Sequence, residues 1–97
     1  MNNNNKNTTH GWAILAVIHG FYFFGRLTEA PDGYITLAEG AAFVGFTQSI
    51  ADVASGNPKA SVTLARFDKN RELTFPISSV CAILPSVNLY TQKTTTV

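Results

Sequence analysis

Two histidines, one cysteine and six carboxylates are the side chains that acid–base, nucleophilic or metal chemistry would need in this chain. His10 and His19 have neither a second ligand at a metal-site spacing nor a run of carboxylates beside them, which argues against a metal centre. His19 reads as a strand residue beside Gly20, and His10 as part of a polar tail. Cys81 lies in VCAIL, where a free thiol behaves as a small core hydrophobe, so it is expected to be buried. As the single cysteine it excludes an internal disulfide and a cysteine-built zinc site, and it fits a reducing compartment. Asp32 and Asp68 fall in turns and Asp52 in a helix candidate, while Glu29, Glu39 and Glu72 are spaced like solvated strand ends. GFYFFG, residues 20–25, has the glycines of a phosphate loop without its lysine or its helix start. These residues yield no catalytic group, metal or cofactor, and the chain is expected not to be an enzyme.

Recognition by stacking is the remaining chemistry. HGFYFFGR, residues 19–26, places four aromatics in succession, and only seven more are spread over the other residues. In a strand, Phe21 and Phe23 point one way and Tyr22 and Phe24 the other. Tyr22, Phe24 and Arg26 then share a face, Tyr34 joins them from the returning strand, and Arg66 heads a second basic cluster with Lys69 and Arg71. These five residues, Tyr22, Phe24, Arg26, Tyr34 and Arg66, form the candidate binding set, since aromatic and arginine side chains carry most interface energy. Stacked bases would suit such a face. However, seven basic residues against six acidic ones give a net charge of +1, too little to gather nucleic acid from solution. The aromatic run also departs from the order of the known RNA-recognition strand signature. Both faces of an aromatic strand need a cover, which a core or a second subunit supplies, so homo-oligomerisation is expected.

The elements that must position these residues follow from turn signals and periodicity. Ninety-seven residues suit one domain. Charged residues make up 13% of the chain against a typical ~25%. The apolar stretch from Gly11 to Phe24 contains His19 and Gly20 and falls short of the ~20 residues that span a bilayer, and no small-residue cleavage site follows it. A cytoplasmic protein without a membrane segment is expected. WAILAVIH and FYFFGRLTE read as two strands hinged at Gly20, APDG as a turn, and YITLAEGAAFVGF as the returning strand, with a break near Gly40. TQSIADVASG, residues 47–56, is a two-turn helix that Thr47 can cap and Gly56 can close. ASVTLARF, ELTF and ISSVCAILP are further strands, with DKNR as a turn and Pro76 at an edge or bend where the chain changes sheets. The expected fold is mainly β: a small bent-sheet barrel or sandwich, SH3/Sm-like, with one short helix. Residues 1–10 are expected to be a disordered tail, 11–86 a single β-rich domain and 87–97 a flexible tail.

In order, Phe24, Gly25 and Leu27, the Asp32-Gly33 turn, Leu37, then Ile50, Ala51, Ala54 and Gly56, and finally Ile83, Leu84 and Pro85 make a pattern. It resembles a family of small uncharacterised phage proteins with a bent β-sheet. Similar proteins carry a basic pair and then aromatics after the leucine strand, whereas this chain has Ala41 and Ala42 before Phe43 and Phe46. The resemblance brings no catalytic residue. It implies a phage-type binding protein in the host cytoplasm, for example an inhibitor of a host defence component that binds a host protein or sequesters a small nucleotide ligand. The alternatives are a nucleic-acid-binding small β-barrel and a structural phage component.

Overall fold

A computed structural model describes residues 8–67, 72–92 and 94–96. Among the described residues seven strands form one sheet: β1 (Thr8–Val17), β2 (Phe21–Glu29), β3 (Tyr34–Phe46), β4 (Val62–Arg66), β5 (Leu73–Pro76), β6 (Val80–Pro85) and β7 (Thr94–Thr96). One helix, α1 (Ile50–Ser55), lies between β3 and β4. The sheet runs β6-β1-β2-β3-β4-β7, and all pairs are antiparallel except the parallel β4–β7 pair.

β3 organises the architecture because it is longer than any partner. One edge pairs with β2. The other is divided: Tyr34 to Leu37 pair with β5, and Ala41 to Phe46 with β4. Between the two halves Glu39 adopts φ 54°, a left-handed conformation that breaks strand geometry next to Gly40. The break expected near Gly40 is therefore a bend within a continuous strand, and it lets one strand serve two partners.

Apolar residues alternate so that both faces of the central strands are buried. Ile14, Phe24, Ala41, Val62 and Leu64 point to one face, where Val53 and Ala54 of α1 and Leu89 cover them. Ala13, Leu15, Val17, Leu27, Ile35 and Leu37 point to the other, where Phe23, Leu73, Phe75, Val80 and Ile83 close over them. Apart from Phe23 of β2, this second cover comes from β5 and β6, brought round by the bend of the sheet. Pro76 ends β5, the single turn Ile77–Ser79 follows, and the chain leaves β3 to pair with β1 as β6. A proline cannot donate to a ladder, so its place at a strand end where the partner changes follows directly. The sheet is bent and stays open: β5 and β6 are consecutive yet do not pair with each other.

The helix forms where the sequence signals it, with a different cap. Ser49, not Thr47, is the N-cap: its hydroxyl accepts the Asp52 N–H at 3.1 Å, while the Asp52 carboxylate accepts the Ser49 N–H in return. The Ser49 hydroxyl also donates to the Asp52 carboxylate at 2.9 Å, and this bond foremost, with those from the Asn57 side-chain amide and the Ser49 N–H, holds the Asp52 carboxyl below the usual aspartate range. Thr47 instead ties the loop to β4, donating its N–H to the Ser61 carbonyl at 2.9 Å. Gly56 closes the helix at φ 76°, as expected of a left-handed cap.

Four other expectations need correction. The N-terminal strand begins at Thr8, so His10 is a strand residue and residues 8–10 are no tail; residues 1–7 lie outside those described. His19 sits at φ 68° in the turn Ile18–Gly20 that joins β1 to β2, not in a strand. Residues 87–92 are no flexible tail: Leu89 is 1% exposed, because the apolar pair Leu89 and Tyr90 fills the space that α1 leaves open on Ile14 and Phe24. Cys81 is exposed, not buried. The β1–β6 register slips between Ala16 and Val17, pairing them with Ala82 and Val80, so Cys81 is the extra residue of a bulge. The DKNR turn, with Asp68, Lys69 and Arg71, lies outside the described residues.

Candidate binding surface

Two groups of functional side chains flank the helix-covered core on the same face of the sheet. The first is ionic. Arg26 is opposite Trp12 in the β1–β2 ladder, and its guanidinium lies over the indole at 5.6 Å. Arg66 lies over the Tyr90 ring at 4.5 Å. Glu39 stands between them, ion-paired with Arg26 and 3.6 Å from Arg66. The left-handed turn at Glu39 aims its carboxylate at both arginines, and the Tyr90 hydroxyl donates to the Glu39 main-chain carbonyl. Burial raises the Tyr90 hydroxyl above the ordinary tyrosine pKa; the nearby Arg66 charge opposes this and the Glu39 charge adds to it. Beneath the arginines, Trp12 stacks on Phe24 at 5.2 Å and Tyr90 meets both rings edge-on. The two cations thus share one internal carboxylate and lie on two ring faces, a structural use that leaves the cluster one net positive charge.

The second group is aromatic and uncharged. β2 and β3 pair from Phe23 with Ala42 onwards, but β2 begins at Phe21 and β3 continues to Phe46 against β4. Residues 21–22 and 43–46 therefore diverge and enclose a cleft of about 160 Å³ lined by Gly20, Phe21, Tyr22, Phe43, Val44 and Phe46. Tyr22, Phe43 and Phe46 form a triangle with ring centroids 5.8, 5.8 and 5.9 Å apart. Phe21 is 61% and Val44 64% exposed, and Ile18 and Phe46 add exposed apolar surface. Val44 stands out because the β3–β4 register slips between Phe43 and Gly45.

The candidate set predicted from the sequence is thus divided. Tyr22 lines the aromatic cleft. Phe24 is fully buried, because alternation turns it inward beneath Trp12, and it supports the face without being part of it. Arg26 and Arg66 meet at Glu39. Tyr34 is exposed at the far end of β3, where its N–H bonds the Asp32 side chain at 3.3 Å, and it joins neither group. Sequence reasoning missed Trp12, Glu39 and Tyr90 in the ionic cluster and Phe43, Val44 and Phe46 in the cleft. FVGF carried a signal for the last three, since a glycine between two aromatics near a strand end repeats the composition of the 20–24 run.

Among the described residues no group of three or more His, Cys, Asp or Glu side chains could hold a metal ion, and no helix is long and apolar enough to cross a membrane. No family model matches the chain, and no curated protein matches it in sequence.

Proposed function

We propose that the protein acts by binding a partner protein at the aromatic end of the sheet, without catalytic turnover. The exposed, uncharged cleft between the diverging ends of β2 and β3 carries this reading: Phe21 and Val44 stay in solvent although strand residues such as Ile14, Phe24, Leu27 and Leu64 are fully buried on the two faces of the sheet. In this reading the bent sheet is a binding module of the SH3/Sm-like kind, and the resemblance to small phage proteins supplies the setting. The partner is then a host protein, such as a defence component, which the chain inhibits in the host cytoplasm by occupying its surface. A nucleotide signal or a nucleic acid is less well supported, because Arg26 and Arg66 already share Glu39.

Capture on immobilised protein from host lysate, followed by mass spectrometry, tests the reading. Phe21→Ser/Val44→Lys should lose the partner that wild type and Tyr34→Ala both retain. Retention by the double variant, or recovery of a nucleotide as the bound species, would overturn it.

A further inference from the structure

We infer that the cleft between β2 and β3 takes an extended, uncharged peptide segment as an added strand. The inference rests on the aromatic end being the contact surface and specifies what enters it. The cleft has main-chain walls: residues 21–22 on one side and 43–46 on the other do not pair with each other, although both lie within strands of the sheet. In an antiparallel strand every second residue turns its N–H and C=O towards each neighbour, so both walls direct main-chain donors and acceptors inward. The two glycines of the lining leave the main chain open between the aromatic side chains. A Cβ placed on Gly20 or Gly45 would meet no atom within 4 Å, so an incoming backbone can approach both.

The chemistry of the occupant follows from the lining. Residues 18–25 and 40–51 contain no Asp, Glu, Lys or Arg, so a charged segment would lose hydration without finding a counter-charge. The triangle of Tyr22, Phe43 and Phe46 offers an apolar floor on one side only, which suits a strand whose alternate side chains are apolar. Size separates this ligand from a nucleotide: about 160 Å³ is well below the ~300–1,000 Å³ of sites that enclose drug-sized molecules.

The experiment uses the full chain and a library of uncharged seven-residue peptides, with affinities measured by fluorescence anisotropy. Peptides with apolar residues at every second position should be enriched. In a selected peptide, N-methylation of an amide facing β2 or β3 should weaken binding at least ~10-fold while the adjacent amide tolerates it, since strand addition alternates its hydrogen bonds. Val44→Lys should weaken binding by a similar factor; Phe21→Ser replaces it if the lysine variant does not fold. Tolerance of N-methylation at every position would overturn the inference. So would the absence of any peptide that prefers wild type over Val44→Lys. If that occurs while the lysate partner is still lost from Phe21→Ser/Val44→Lys, the contact surface stands and only strand addition falls.

Discussion

A Cβ on Gly25 would lie 2.8 Å from the carbonyl oxygen of Ala38 and 3.3 Å from the Cα of Gly40. The β2–β3 register slips between Phe24 and Arg26, so the bend of β3 folds directly over Gly25. The obstacle is main chain, which cannot swing aside as the end of a side chain can. Gly25→Ala is therefore expected to destabilise the protein by about 1–3 kcal/mol, the usual range for overpacking. Urea unfolding checks this, and an unchanged midpoint would mean that the bend is looser than described.

Glu39 combines a useful carboxylate with a costly backbone. Glu39→Ala and Glu39→Gly both remove the ion pairs with Arg26 and Arg66, but only alanine keeps a Cβ at φ 54°. The glycine variant should be the more stable of the two by about 1 kcal/mol. Equal midpoints in thermal unfolding would show that the left-handed conformation relaxes once the arginines are released.

Tyr90 makes stability fall at alkaline pH. Its hydroxyl has a raised pKa in the folded state, mainly through burial, so between the unfolded value of about 10 and the folded one the native state holds more protons. The stabilising contribution is complete below pH 10 and is lost as pH rises through the folded value. Tyr90→Phe should be the less stable protein at pH 8, having lost the hydrogen bond to the Glu39 carbonyl, yet it should decline less steeply above pH 10. Denaturant midpoints measured from pH 8 to pH 11.5 compare the two slopes, and parallel slopes would place the titration elsewhere.

Cys81 should react with a thiol reagent in the native protein almost as fast as in the unfolded chain, because the bulge in β6 turns it to solvent. Protection until denaturant is added would contradict this exposure.

Much of this architecture was legible in the chain, for physical reasons that also explain the failures. The Gly20 hinge, the Asp32-Gly33 turn, the Gly56 cap and the Pro76 break were readable because each depends on the dihedral limits of one residue. The alternation of Phe23 and Phe24 onto opposite faces was readable from the period of a strand. What failed depended on distant partners. VCAIL has the composition of a core strand, yet a slip of register against β1 exposes Cys81. Leu89 and Tyr90 lie in a stretch without an apolar period, and only the gap beside α1 makes them core. Tyr22 was recognisable as part of a binding face, whereas its partners Phe43 and Phe46 are distant in sequence and meet it through the β2–β3 hairpin.

The position of β6 next to β1 joins segments far apart in the chain, as when Ile14 pairs with Leu84. The β1–β2–β3 meander needs only short loops to close, so it can form early, before any contact distant in sequence exists. Docking β6 must wait until β4 and β5 have settled against β3, because they set where the following chain is delivered. Folding is then expected to end, and native-state opening to begin, at this seam, and amide exchange should be faster in β6 than in the β2–β3 ladder. The residues that complete the second face of the core are thus the last to arrive and the first to leave.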